Sequence, residues 1–333
     1  VFYLSELKGF DIMLYPLKLN AAFKDYLWGG TRLRDEFNKQ TDIDPVAESW
    51  ELSCHHDGQS IISNGEFSGK TLAQYIETVG KQVIGTKAPK DKDFPILIKF
   101  IDAKQSLSVQ VHPDDKYALL HEGESGKTEM WYVMDATPDA TLIYGFTHEI
   151  SHQEFERRIK DNTLLEVCNQ VPIKKGDVFF IEAGTLHAIG AGALIAEIQQ
   201  SSNSTYRVYD YGRVGKDGKL RELHIEKALA VTKLEPPTRK PEPIAKLTAF
   251  ADYDLTILAQ CELFNVSHFD LHGNCSLNAK KDSFHSILVL DGQIALTYGN
   301  DSFTITKGES VFIPADMGEY ILNGTGEFIL TTL

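Results

Sequence analysis

The chain has 333 residues, 42% of them hydrophobic and 24% charged, enough apolar material for a substantial core and too much for a disordered polypeptide. Lys and Arg number 33 against 47 Asp and Glu, a net charge of -14, so a nucleic-acid partner, which needs a basic face, is not expected. A small phosphorylated ligand stays open, because a few local cations hold one phosphate against an acidic background.

The length favours two domains, or one with a large elaboration. Residues 1–12 carry acids where a secretion signal carries bases, and they read as an upstream extension ahead of Met13. No apolar run approaches the roughly 20 residues that span a bilayer, so no membrane association is expected. Cys54, Cys168, Cys261 and Cys275 show no CxxC spacing and are too few for a disulfide framework. They point to a reducing compartment, the cytoplasm.

Trp28-Gly29-Gly30 and AESWELS (Ala47 to Ser53) are aromatic and glycine signals that read as packing. A helix is expected over Leu72 to Val83, followed by a strand over Ile96 to Ile101. Next comes LSVQVHPDD, Leu107 to Asp115. Residues two apart on a strand face the same way, so Gln110 and His112 reach one ion from a single face before Pro113 ends the strand. Alone, the triplet reads more simply as a half-buried strand histidine. A helix is expected from Asp114 to His121.

Partners for that pair arrive downstream. Glu129 opens the strand EMWYV, and His187 lies in the turn-like AGTLHAI. Singly, each reads as a solvated or hydrogen-bonded strand end. Together, one carboxylate, two imidazoles and an amide oxygen form a nitrogen and oxygen set suited to zinc with an open position. Lys127, two residues before Glu129, projects toward the same place either as a proton donor or, like most lysines, as a solvated charge.

Strands are also expected at Trp131 to Met134, Thr141 to Tyr144 and Val178 to Ile181. A helix begins at Ser151, where Ser151 and Glu154 have capping-box spacing. Glu197 lies between Ala196 and Ile198 in an alternating run; it reads as a general base if it points inward and as an ordinary carboxylate on a wet face if it does not. Arg207 and Arg213 bracket Tyr209 and Tyr211, and their guanidinium forks match phosphate oxygens, the plain alternative being surface arginines on a tyrosine-rich loop. No GxGxxG, GxxxxGK[ST] or GxSxG is present, which leaves dinucleotide, P-loop and serine-hydrolase functions unsupported.

The proline cluster LEPPTRKPEPIAK, Leu234 to Lys246, resists helix and central strand and marks a linker, with a boundary near residue 240. Strands at Ile287 to Leu290 and Val311 to Ile313 follow. KGDVFFIEAGTLHAI (Lys175 to Ile189) aligns without gaps on KGESVFIPADMGEYI (Lys307 to Ile321), pairing His187 with Glu319. EMWYVMD (Glu129 to Asp135) aligns more weakly on HSILVLD (His285 to Asp291), at an offset larger by the size of the helical insert at about 150–171. Many short strands and a duplicated unit imply a mainly β fold of sandwiches or barrels, with one metal in the first unit and none in the second.

FPILIKFIDAKQSLSVQVHPDD, GKTEMWYV, AGTLHAIG and EIQQSSNSTYRVYDYGR, in that order, resemble the type I mannose-6-phosphate isomerases in their short bacterial form. The resemblance spans about Leu14 to Thr232 and continues more weakly to the end. It implies two cupin-like jelly-roll units with helical insertions, 1–240 catalytic and 241–333 not. It also implies one Zn2+ on Gln110, His112, Glu129 and His187, with Arg207 as the catalytic arginine. Glu197 and Lys127 take proton-transfer positions, and Ser108 and Arg213 positions at the substrate phosphate. The implied reaction interconverts mannose 6-phosphate and fructose 6-phosphate through a cis-enediol, with a phosphosugar as the only partner; oligomeric state is not indicated. Glu182 stands where many cupins carry proline, which alters the turn before His187. Two other classes compete. A cupin dioxygenase is disfavoured by an amide in place of a third histidine, and a non-catalytic sugar-binding bicupin would bind the sugar phosphate without turning it over.

Overall fold

A computed structural model describes residues 13–90, 94–215 and 218–333, and the expected extension at 1–12 lies outside the described residues. The strands form three antiparallel sheets. A six-stranded sheet runs in the order Val178–Ile181, Glu129–Ala136, Ala193–Gln200, Ile96–Ala103, Glu48–Leu52, Ala22–Lys24. A five-stranded sheet runs Tyr206–Tyr209, Val109–Val111, His187–Ile189, Thr141–Phe146, Cys168–Pro172. The remaining ten strands form one sheet, eight from the second unit together with Leu17–Asn20 and Ile61–Ile62 from earlier in the chain.

The six-stranded sheet is covered on both faces. Ile101, Trp131, Phe179 and Ile195 meet Leu142 and Ile189 of the five-stranded sheet. Ile98, Phe100, Met130 and Ile198, on the other face, meet Leu19, Leu288, Phe312 and Ile329 of the ten-stranded sheet. Every residue of Ile96–Ala103 and of Ala193–Gln200 is therefore buried. This is the physical reason that ILIKFI reads as a continuous apolar run rather than an alternating one. It also buries the three charges on these strands, Lys99, Asp102 and Glu197, away from the outer surface.

The duplicated segments occupy equivalent places in the same register. Val178 pairs with Tyr132 and Ile181 with Glu129, while Ser310 pairs with Leu288 and Ile313 with His285. The helix His152–Lys160 lies between the matched strands of the first copy, where the extra length was expected.

Two local expectations change. The helix expected over Leu72 to Val83 covers Leu72–Val79 only, because Gly80 takes φ 112° and ends it, and Lys81–Ile84 form a separate 3-10 turn. Ser151 accepts from the Glu154 N–H at 3.1 Å, but the Glu154 carboxylate takes Arg158 at 2.8 Å instead of reaching back to complete a capping box. A full box forms at Thr71 and Gln74. Leu234–Lys246 contains neither helix nor strand, and Arg239 in it stacks over the Phe180 ring at 4.0 Å. Among the described residues no helix is long and apolar enough to cross a membrane.

Candidate metal centre and active-site cavity

Two rows of cross-strand neighbours face each other inside the first unit. Across the six-stranded sheet, Trp50 pairs with Lys99, Lys99 with Glu197, Glu197 with Trp131, and Trp131 with Phe179. Across the five-stranded sheet, Arg207 pairs with Gln110, Gln110 with His187, and His187 with Tyr144. The rows touch where Trp131 and His187 meet edge to face, ring centres 5.3 Å apart. Ser108 and His112 flank the short strand Val109–Val111 and share Gln110's face by the two-residue period. The alternation of the chain and the register of pairing thus gather residues nearly 80 positions apart.

His112, Glu129 and His187 converge in the fully buried interior. His112 Nε2 is 3.2 Å from Glu129 Oε1, His187 Nε2 is 3.8 Å from Glu129 Oε2, and the two imidazole Nε2 atoms are 3.1 Å apart. The Gln110 amide lies 3.5 Å from His187 Nε2, its nitrogen turned inward and its oxygen 3.3 Å from the Ser108 hydroxyl. Rotation of the amide exchanges the two atoms. Each histidine donates its Nδ1–H to a backbone carbonyl, His112 to Ser204 and His187 to Thr185, both at 2.8 Å. That fixes the tautomer and leaves both Nε2 lone pairs aimed inward, the arrangement a metal ligand requires.

The electrostatics fit a cation. Burial, then the Lys127 charge, pushes the His112 pKa down to about 3, and burial likewise lowers that of His187, so both rings are neutral. Burial alone would raise the Glu129 carboxyl, but the Lys127 ammonium outweighs it and holds the group well below the ordinary range. Neither Glu129 oxygen accepts a hydrogen bond of ordinary geometry, although both are buried. Two facing lone pairs and a buried anionic carboxylate form a donor set that could hold a divalent ion. Lys127 provides positive charge beside them, its Nζ 2.7 Å from Glu129 and 3.1 Å from His112 Nε2. In the second unit, the equivalent of Glu129 is His285, bonded to the Tyr320 hydroxyl at 2.7 Å, and the equivalent of His187 is the exposed Glu319.

A cavity of about 300 Å³ opens beside this group. Ser108, Gln110, Lys127, Glu197 and Arg207 line it, so five of the nine residues singled out in the sequence share one wall system. Glu197 accepts from the Trp131 indole at 2.9 Å and pairs with Lys99 at 3.1 Å. Burial first, and then the negative charge of Glu129, raises the Glu197 pKa. Arg207 donates to the Glu222 carbonyl at 2.9 Å, and its buried Nε is without a partner.

Arg213 lies outside the lining. Its guanidinium is bound to the Asp210 carboxylate and donates to the Ser106 carbonyl at 2.7 Å. Arg221, in the same loop, lines the cavity instead. Sequence reasoning missed Lys99, Glu48 and Trp131 as well. Lys99 stays protonated, because Glu197, Glu48 and Glu129 outweigh the burial that would lower its pKa. Its signal was a single cation inside an apolar strand. Glu48, which accepts from the Trp50 indole at 2.7 Å, and Trp28 belong to segments read only as packing, yet both line the cavity.

Comparison with known proteins finds relatives along the chain. The family model for the catalytic domain of type I phosphomannose isomerase matches residues 16–140, and that for the cupin domain of mannose-6-phosphate isomerase matches 254–333. A probable mannose-6-phosphate isomerase of Bacillus subtilis is 38% identical over 96% of this chain and 99% of its own length. A second mannose-6-phosphate isomerase of that organism is also 38% identical, over 96% of this chain and 99% of its own. The crystal structure of mannose 6-phosphate isomerase from Bacillus subtilis superposes with a TM-score of 0.88 at 35% identity, covering 96% of this chain and 99% of that one.

Proposed function

Since the chain belongs to the type I phosphomannose isomerase family, and its activity is that of a mannose-6-phosphate isomerase, we propose that it works with one zinc ion and through a cis-enediol. The observation that carries the metal is the pair of inward-facing Nε2 lone pairs of His112 and His187, 3.1 Å apart and beside the Glu129 carboxylate. Gln110, His112, Glu129 and His187 would hold the ion. Bound there, zinc supplies Lewis-acid polarisation of the sugar's C1 and C2 oxygens.

The protein's own groups move the protons. Glu197 takes the proton from C2 of the open-chain aldose, the C–H electron pair becomes the C1–C2 double bond, and the C1 oxygen gains a proton from the Lys127 ammonium. Return of the C2 hydroxyl proton to Lys127 and of the Glu197 proton to C1 gives the ketose. A raised pKa suits Glu197 to hold that proton between the two steps. Arg207, a half-buried cation at the wall, offsets negative charge on the oxygens. Ser108 holds the phosphate, and Arg213 steadies its segment through the Ser106 carbonyl. Catalysis belongs to the unit ending near residue 240, and 241–333 is a non-catalytic companion. Cys54, Cys168, Cys261 and Cys275 form no disulfide, in keeping with a cytoplasmic enzyme.

Chelation followed by assay in deuterium oxide tests the whole scheme. Removal of divalent ions is expected to lower turnover of mannose 6-phosphate by about 100-fold or more, with recovery on adding zinc. The product should carry solvent deuterium. Full activity after stripping would refute the metal, and a product without exchange would refute the enediol.

A further inference from the structure

Among the described residues only one other trio of metal-binding donors converges: His55, His56 and Asp57, just after the strand Glu48–Leu52. His56 Nε2 lies 3.3 Å from Asp57 Oδ1, and His55 Nδ1 lies 3.7 Å from Asp57 Oδ2. Donor atoms around a tetrahedral ion with bonds near 2.0–2.1 Å stand about 3.4 Å apart, so each histidine is near that distance from one Asp57 oxygen, and the three donors, all within 4.8 Å of one another, would draw in around an ion. The two imidazoles stack at 4.3 Å between ring centres.

A second feature is independent of this spacing. His55 is buried, and its Nδ1 accepts the Asp57 N–H at 3.1 Å, which puts the ring proton on Nε2. That nitrogen faces Glu124 Oε1 at 3.5 Å. A carboxylate behind the far nitrogen is how ligating histidines are held, and here the near nitrogen keeps its lone pair free of a proton. Lys24 is bound to the Asp57 carbonyl rather than to its carboxylate, which leaves the carboxylate to the histidines and to Asn203.

The same acids reach the cavity. Asp57 Oδ2 accepts from Asn203 Nδ2 at 2.7 Å, and Asn203 lines the cavity. Glu124 Oε2 accepts from Ser202 Oγ at 3.2 Å, the Asn203 N–H at 3.3 Å and Ser204 Oγ at 3.1 Å. The Ser204 carbonyl in turn holds His112.

We propose that His55, His56 and Asp57 form a second, weaker site for a divalent transition metal, and that filling it weakens substrate binding through Asn203. The ion displaces the Asp57 N–H from His55 Nδ1 and draws the Asp57 carboxylate away from Asn203. Partial exposure and the hydrogen bond given up make it weaker than the buried centre.

Calorimetric titration of the metal-stripped full chain with zinc tests the site. The expected result is two equivalents, the second at least about 10-fold weaker, and one equivalent for His56→Ala with unchanged activity when that one is bound. Occupying the weaker site should raise KM several-fold in the wild type and leave KM unmoved in His56→Ala. A wild type that saturates at one equivalent lost in His112→Ala, or a second equivalent that persists in His56→Ala, would overturn the site. Two equivalents with an unchanged KM would overturn its link to Asn203. The zinc reading of the main centre fails separately: His112→Ala would then leave the tighter equivalent in place.

Discussion

Both oxygens of Glu197 are engaged before any sugar arrives, one by the Trp131 indole and one by Lys99. A carboxylate so held cannot swing, which suits a base that must deliver a proton to either of two adjacent carbons. Glu197→Gln keeps the shape and removes the base. It is expected to lower kcat by about 10²–10⁴-fold with KM changed little. It should also abolish an acid limb in the pH profile of kcat/KM that lies above the ordinary carboxylate range, since burial and Glu129 push this pKa up. A limb that survives the substitution would assign it to another group. Side chains that could be read in advance were those whose spacing had a geometric meaning: Gln110 and His112 share a strand face, and the duplication singled out His187 by contrast with Glu319. Lys99 could not be read, because nothing along the chain shows that Glu48 and Glu197 stand on either side of it. Nor does spacing distinguish Arg213 from Arg221: both pair with Asp210, and of the two Arg221 lines the cavity.

Strands were easier to place than helices. An apolar run bounded by turn residues gives a strand whether one face is covered or two, so Ile96–Ala103 was visible although its doubly covered position was not. Helix ends depend on single residues. Gly80 and Gly85 both have positive φ, and the 3-10 turn between them, Lys81–Ile84, docks on the second unit through Phe284 N–H to the Ile84 carbonyl at 3.0 Å and Ala315 N–H to the Val83 carbonyl at 2.8 Å. At Gly85, with φ 105°, an added Cβ would stand 2.5 Å from the Asp282 carbonyl and the Ser283 Cα. Gly85→Ala is therefore expected to destabilise the protein by about 2 kcal/mol or more, from backbone strain and overpacking together. Denaturant unfolding checks this, and a loss under about 0.5 kcal/mol would show that the turn yields freely.

The two units are joined by apolar packing and by charge. Lys175 of the first reaches Glu327 of the second at 2.8 Å, and His268 stands 3.5 Å from the other carboxylate oxygen. His268, more than Lys175, draws the Glu327 pKa down to about 2 against partial burial. A carboxyl with a lowered folded pKa stabilises at pH values above its unfolded pKa, and that contribution fades as pH falls from about 4.5 toward 2. With the side chain about a quarter exposed, the contribution discounts to about 1–2 kcal/mol. Glu327→Gln should thus lower stability by that amount at pH 7 and by nearly nothing at pH 2, as urea unfolding at several pH values would report. An equal loss at both pH values would mean that packing, not charge, is what the substitution removes.

Leu17–Asn20 adds to the second unit's sheet, with Leu17 opposite Phe312. A ribosome makes the two halves of that pairing about 300 residues apart. Until the late strand emerges, the early one remains an open edge with Leu17 and Leu19 uncovered, a template for sticking to neighbouring nascent chains. Strands whose outer face awaits the same late sheet include Ile96–Ala103, which carries Lys99, so assembly of the catalytic wall is tied to completion of a region that does no chemistry. Premature stops near the carboxyl end should yield insoluble protein rather than a smaller working enzyme.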